Sequence, residues 1–248
     1  MTDSPTISST APYTTPDNPA AMARLAGILY LAIIVLGIWS EVFVRAALIN
    51  PADPAATAGN ILAAQGLFKA SLAADTIMAL CDVALAVLLY ALLKPAGAVT
   101  ALAAMVFRLV QAALIAMSLL NQYAALAVLN GTWPVAGDPA QLAPLYLNAH
   151  SHGYDLGLVF FAVNSALTGL LVIRSGYFPK ALGYLLIAAG AVYFTGSTLR
   201  FMAPHLLGSF EPAYAVCLIA ELAFALWLLI KGVDTEKWRG KTGPANSL

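Results

Sequence analysis

The sequence predicts an all-α fold: a polytopic membrane protein built as a bundle of six transmembrane helices, with short surface helices in the outer connections. Composition is the first reason, because 61% of the 248 residues are hydrophobic and only 10% are charged, against about a quarter charged in a typical soluble domain. The second is that several apolar runs exceed the roughly twenty residues needed to cross a bilayer. The third is that the alternation typical of membrane β-barrel strands does not occur.

Composition divides the chain into three parts. Residues 1–21 are rich in Ser, Thr and Pro, which predicts a disordered cytoplasmic tail. Residues 22–232 form the predicted transmembrane domain, and residues 233–248 a cytoplasmic C-terminal tail. The six spans are expected at residues 24–48, 68–93, 98–129, 154–173, 181–202 and 212–230.

The connections between the spans differ in length. Turn signals at residues 95–97 and 176–179, rich in Pro and Gly, predict tight antiparallel hairpins for spans two and three and for spans four and five. The longer connections contain Asp53-Pro54 and Asp138-Pro139, where an acidic cap precedes a proline at the first helical position. We expect a short surface helix after each, the second ending near Leu147.

Basic residues predict the orientation. Three lie at one end of the spans (Arg45, Lys69 and Arg200), Arg108 is internal, and the other eight lie at the opposite end. Cytoplasmic ends carry the excess of Lys and Arg. The sequence therefore predicts a membrane protein with both termini in the cytoplasm. The lipid bilayer is its expected partner, and a net charge of zero gives no indication of nucleic acid binding.

An inner polar layer is expected around Arg108, which lies about ten residues inside the third run. A charge at that depth costs roughly 2.5–3.5 kcal/mol on insertion scales. Asp82 and Arg108 are each thirteen residues from Pro95, so the hairpin places them at one depth. Glu221 reaches a similar level from span six, and Gln111 shares the helix face of Arg108. We expect Arg108 to pair with Asp82, with Glu221 as the second acid.

An outer polar layer is expected nearer the opposite surface. Glu41 and Arg45 are one turn apart and could pair. The full set is Glu41, Arg45, Asp75, Gln122, His150, His152, Asp155 and Arg200. Imidazole and carboxylate suggest a zinc site at His150, His152 and Asp155, but residues two apart on a helix point in different directions. We therefore predict no metal and no cofactor, and interfacial histidines instead.

Four segments carry a resemblance to a known family. They are residues 23–30 (ARLAGILY), 107–112 (FRLVQA), 154–161 (YDLGLVFF) and 173–183 (IRSGYFPKALG). Together they resemble the bacterial membrane family named domain-of-unknown-function family 4386, over roughly residues 24–231. The resemblance implies the membrane fold and a location in a bacterial inner (plasma) membrane. It implies no reaction, because the family has no assigned activity.

Three functions remain open from the sequence. A small-solute or ion-coupled transporter would use Asp75, Asp82 and Glu221 with Arg108, since carboxylates held in a membrane often relay ions or protons. A non-catalytic interaction or structural protein would use the same ion pairs only to hold its helices together. A membrane enzyme, which is less favoured, would have an outward-facing site near His150, His152 and Asp155. A water-accessible cavity reaching Asp82 would favour transport.

Overall fold

Six long apolar helices dominate the computed structural model, which describes residues 18–242. No strand occurs within that range. The predicted fold class, an all-α membrane protein with six spans, is confirmed. The predicted N-terminal tail falls largely on residues 1–17, outside the described residues.

The described helices are as follows. Spans 1 to 6 run over Pro19–Leu48, Gln65–Ala96, Ala98–Leu129, Pro139–Ser175, Lys180–Met202 and Pro204–Ile230. Shorter helices occupy Pro54–Ala63, between spans 1 and 2, and Thr235–Thr242, after span 6. Span 6 begins with short turns and becomes a continuous α-helix at Tyr214–Ile230.

The six spans form a ring in sequence order. Each span packs mainly on the spans before and after it, and span 1 closes the ring against span 6. Both described ends of the chain lie together, since a Cβ on Gly232 would lie 3.7 Å from Ala23 Cβ. We call this the terminal end of the bundle and the opposite one the distal end.

Two helices differ from the prediction because of local cap and proline chemistry. Span 1 begins at Pro19, earlier than expected, since Asn18 Oδ1 accepts a hydrogen bond from the Ala21 N–H at 3.0 Å and caps the helix. The helix beginning at Pro139 does not stop near Leu147 but continues to Ser175 as span 4. Pro144 costs this helix one backbone hydrogen bond without ending it, so His150 lies within a span.

Glycine brings spans 3 and 4 close together. A Cβ on Gly153 would lie 2.9 Å from Ser118 Cβ, and one on Gly157 would lie 2.9 Å from Ile115 Cγ1. Both glycines lie one turn apart on one face of span 4, so the two backbones approach more closely than larger residues would allow. This contact sets the position of span 4 relative to Arg108.

The segment after span 6, predicted as a tail, contains a helix that packs on the bundle. Trp238 is 2% exposed and donates its indole N–H to the Leu92 carbonyl at 2.9 Å. The Tyr177 hydroxyl donates to the same oxygen at 2.8 Å. Carbonyls at the end of a helix lack partners within that helix. The two aromatic side chains therefore close the terminal end of span 2.

Candidate functional site

The inner layer contains a buried ion pair between spans 2 and 3. Arg108 Nε donates to Asp82 Oδ1 at 2.8 Å, and Arg108 Nη2 lies 2.5 Å from the same oxygen. Gln111 Nε2 donates to Asp82 Oδ2 at 3.0 Å. The structure thus brings these three predicted residues together, and both carboxylate oxygens are occupied.

Residues of spans 1 and 4 complete the surroundings of Arg108. Its Nη1 lies 3.5 Å from Asn164 Oδ1, and Asn164 Nδ2 donates to the Ala104 carbonyl at 2.8 Å. The rings of Tyr30 and Phe161 lie 5.0 and 5.2 Å from the guanidinium carbon, within range of a cation–π interaction. Sequence reasoning missed Asn164, although a lone amide in an apolar span is the same signal that identified Gln111.

Glu221 does not complete a bridge to Arg108. Its Oε1 accepts a hydrogen bond from the Tyr193 hydroxyl at 2.5 Å, and among the described residues it forms no ion pair. The reason is the packing of span 6, which lies against spans 1 and 5 and turns Glu221 toward those neighbours. Arg108 therefore has its close ion pair with Asp82, and Glu221, expected as the second acid, interacts with Arg108 only at longer range.

The outer layer contains a second ion-pair network at the distal end. Arg45 Nε donates to Glu41 Oε2 at 2.7 Å, and Arg45 Nη1 pairs with Asp75 Oδ2. Asp75 is 0% exposed, whereas the Glu41 side chain is 67% exposed. Arg45 therefore joins a buried carboxylate to one that faces solvent or the headgroup region.

A π-helical turn positions this network. Residues Trp39–Arg45 of span 1 are π-helical, and the Ala46 N–H bonds to the Glu41 carbonyl five residues back. Such turns are rare and occur frequently at functional sites. The sequence predicted the Glu41–Arg45 pair but not the π-helix, which leaves no recognisable mark in the residue pattern.

A third ion pair joins spans 4 and 5. Arg200 Nε lies 2.6 Å from Asp155 Oδ2, and Arg200 Nη2 donates to Ser151 Oγ. Although the contact with Asp155 is close, the Nε–H does not point at the carboxylate, so the pair is electrostatic rather than a linear hydrogen bond. Both side chains are partly exposed and belong to a water-accessible surface.

The two histidines face different surroundings. His150 is buried, and its Nδ1 lies 3.1 Å from the Ser118 carbonyl oxygen. His152 is exposed, and its Nδ1 lies 2.8 Å from the Asn148 carbonyl oxygen of its own helix. They do not converge with Asp155, and no cluster of three potential metal ligands exists among residues 18–242.

Gln122 lies apart from the charged groups of the outer layer. Its Nε2 donates to Ser71 Oγ at 3.0 Å, and the Ser71 carbonyl accepts from Ser40 Oγ at 3.2 Å. These contacts connect spans 1, 2 and 3 near the distal end. Gln122 therefore contributes to helix packing rather than to the surface described next.

The ion pairs of the outer layer line a cavity of about 600 Å³, which we call the distal cavity. It lies between the π-helical turn, span 4, the end of span 5 and the start of span 6. Its charged and imidazole groups are Glu41, Arg45, His150, Asp155, Arg200 and Glu211. Sequence reasoning missed Glu211, which precedes Pro212 in a connection rather than within an apolar run.

A second space of about 390 Å³ lies between spans 1 and 6, and we call it the crevice. It shares Glu41, Tyr154 and Tyr214 with the wall of the distal cavity. The crevice extends to Glu221 and Tyr193. Beside Arg108, in contrast, the space is about 10 Å³, which holds at most one water molecule. The outer layer and Glu221 therefore adjoin space for a ligand, whereas the Asp82–Arg108 pair does not.

Comparison with known proteins identifies relatives without an assigned activity. A family model described as "Domain of unknown function (DUF4386)" matches residues 25–232. An uncharacterized protein of Archaeoglobus fulgidus is 32% identical over 156 residues, which is 61% of this chain and 76% of the relative. No solved structure matches the chain.

Proposed function

Since the chain belongs to the DUF4386 family, whose description assigns no activity, we propose from the geometry of the distal cavity that this protein binds a small organic cation. In this proposal the protein lies in a plasma membrane and the distal end faces the outside of the cell. The proposal takes the ligand to be a solute that reaches the cavity from outside.

The charge of the distal cavity is the observation that carries the proposal. Its wall includes the carboxylates of Glu41, Asp155 and Glu211, and Asp75 lies behind it. Both arginines of the wall are already paired with carboxylates. Because four carboxylates face two guanidinium groups, the local potential favours a cation over an anion.

Aromatic rings support the choice of an organic cation. Tyr154 and Tyr214 line the cavity, and a cation over such a ring gains about 0.5–2 kcal/mol. Tyr214 packs directly against Gly196, and a side chain at residue 196 would overlap the Tyr214 hydroxyl. The volume of about 600 Å³ also falls within the roughly 300–1,000 Å³ of small-molecule sites.

The proposal stops at binding and does not include transport. Asp82 and Arg108 engage each other and Gln111, and the neighbouring space is no larger than a water site. This supports a structural role for the inner layer. The proposal also includes no catalytic step, since His152 is exposed and hydrogen-bonded within its own helix.

The test is a calorimetric titration of the purified protein in lipid nanodiscs with benzyltrimethylammonium. We expect saturable binding that benzenesulfonate, an anion of similar size, does not reproduce. Glu211→Gln removes one charge from an exposed residue and should weaken binding about fivefold, the effect of roughly 1 kcal/mol.

Glu236→Gln is the matched control, because Glu236 is an exposed acid on the C-terminal helix at the opposite end of the bundle. It should bind benzyltrimethylammonium as the parent protein does. Equal binding of the cation and the anion, or equal loss in the two variants, would overturn the proposal.

A further inference from the structure

The crevice between spans 1 and 6 exists because the two helices touch only toward the terminal end. A Cβ on Gly27 would lie 2.6 Å from the Leu229 backbone nitrogen, so the two backbones are in contact there. One turn further along, the Tyr30 and Phe224 rings meet edge to face at 6.2 Å. Beyond Tyr30 the crevice separates the two spans.

Most of the crevice wall is apolar and its rim faces the bilayer, while Glu221, hydrogen-bonded by Tyr193, also lines it. Ile34, Ile38 and Val42 of span 1 lie on one side and Leu218 of span 6 on the other. Ile38, Val42 and Leu218 are 37%, 56% and 45% exposed. In a membrane-spanning bundle, such side chains at a helix–helix gap are accessible to lipid chains. The crevice is therefore a largely apolar space with an entrance from the side.

Its distal end adjoins the charged cavity. Glu41, Tyr154 and Tyr214 belong to both linings, so the two spaces are neighbours across these three side chains. Along span 1 the crevice extends from Ile33 to Glu41, a distance of roughly 12 Å at 1.5 Å per residue. An acidic, aromatic cavity beside a largely apolar slot suits a molecule with a charged head and an extended tail.

We infer that the ligand is an amphiphilic cation with a single alkyl chain, whose head occupies the distal cavity and whose chain lies in the crevice between spans 1 and 6. The inference rests on the proposed function and adds the substrate class. The ligand enters sideways from the distal leaflet of the bilayer, so the head meets Glu41 while its chain remains in an apolar environment.

The chain length of the ligand provides the test. A series of n-alkyltrimethylammonium ions, from ethyl to octyl, is titrated into the protein in nanodiscs, with empty nanodiscs as the reference. Burying one methylene contributes about 0.8 kcal/mol, so the affinity should rise about three- to fourfold for each added methylene until the chain fills the crevice.

Leu218→Trp places a bulky side chain in the crevice. The matched control is Ile219→Trp, because Ile219 is 58% exposed and does not line the crevice. Partition of the ligand into lipid is the same in both samples. We expect the gain per methylene to fall below about 1.5-fold in Leu218→Trp, well under the fourfold expected from full burial. Ile219→Trp should retain the full gain.

The outcomes separate the two proposals. If ethyltrimethylammonium binds and Glu211→Gln weakens it, but the gain per methylene is the same in Leu218→Trp and Ile219→Trp, the amphiphile inference is wrong and the cation site stands. A gain near onefold in the parent protein would show that a bilayer lipid already occupies the crevice, and would also overturn the inference. If no member of the series binds, the proposed function itself fails.

Discussion

Asp82 on span 2 and Arg108 on span 3 lie at one depth in the bundle, and the guanidinium Nε donates to the carboxylate at 2.8 Å. They are 3% and 2% exposed. Removing one partner from a buried pair leaves the other charge without compensation, which costs about 3–5 kcal/mol. The pair therefore makes the stability of spans 2 and 3 interdependent.

Arg108→Leu should accordingly destabilise the protein by about 3–5 kcal/mol, since it leaves the Asp82 carboxylate unpaired. Adding Asp82→Asn should restore part of that loss because the unpaired charge is removed. Unfolding of the two single variants and the double variant in mixed micelles gives the coupling energy. Strictly additive losses would show that the two residues are independent.

The π-helical turn should be required for ligand binding. Deletion of Phe43, which is 64% exposed, shortens Trp39–Arg45 by one residue and lets span 1 continue as an α-helix. Arg45 then follows Glu41 by three α-helical residues instead of four π-helical ones, which changes how its guanidinium reaches Glu41 and Asp75 together. We expect the affinity for benzyltrimethylammonium to fall about tenfold, the equivalent of roughly 1.4 kcal/mol.

Phe43→Ala keeps the chain length and provides the control for this deletion. It should bind benzyltrimethylammonium within about twofold of the parent protein, a difference of roughly 0.4 kcal/mol. If the deletion variant folds and binds equally well, the π-helical turn has no part in forming the site.

The C-terminal helix should contribute to the stability of the whole bundle. Trp238→Ala removes a buried indole and one of the two donors to the Leu92 carbonyl, and large-to-small changes of this kind cost about 3–5 kcal/mol. We expect a lower unfolding midpoint and faster proteolysis after Ile230. Arg239→Ala, at an exposed position of the same helix, should alter neither measurement.

Acidic pH should also weaken the start of this helix. The hydrogen bond from the Lys237 ammonium to Asp234 lowers the pKa of that carboxyl below its usual value. Asp234 Oδ1 also accepts a hydrogen bond from the Lys237 backbone N–H at 3.2 Å and so caps the helix. The contribution of this charged cap is therefore present at neutral pH and is lost as the pH falls through the lowered pKa. Proteolysis after Ile230 should be faster in acid, and Asp234→Asn should remove most of the difference.

The eight basic residues at the terminal end predict that this end of the bundle lies in the cytoplasm. With Cys81 and Cys217 replaced by serine, Lys241→Cys and Ala136→Cys place single thiols at opposite ends of the bundle. A membrane-impermeant maleimide added to intact cells should label residue 136 and leave residue 241 unlabelled. Labelling of residue 241 alone would show the opposite orientation, with the distal cavity facing the cytoplasm.

The number of spans and the level of Asp82 with Arg108 could be predicted from the sequence because both depend on local length. About twenty apolar residues span a bilayer whatever lies beside them. Because the turn at Pro95 is tight, residues the same number of positions before and after it lie at the same depth. The Glu41–Arg45 contact is predictable for the same reason, since both residues lie on one turn of one helix.

The partners of Glu221, Arg45 and Asp155 were decided by how the helices pack around one another. Span 6 packs between spans 1 and 5, so Glu221 meets Tyr193 rather than Arg108. The π-helical turn and the separation of spans 1 and 6 beyond Gly27 then create the distal cavity and the crevice. The rotation of a helix about its own axis is set by contacts between residues far apart in the chain. The sequence of one span alone does not reveal those contacts.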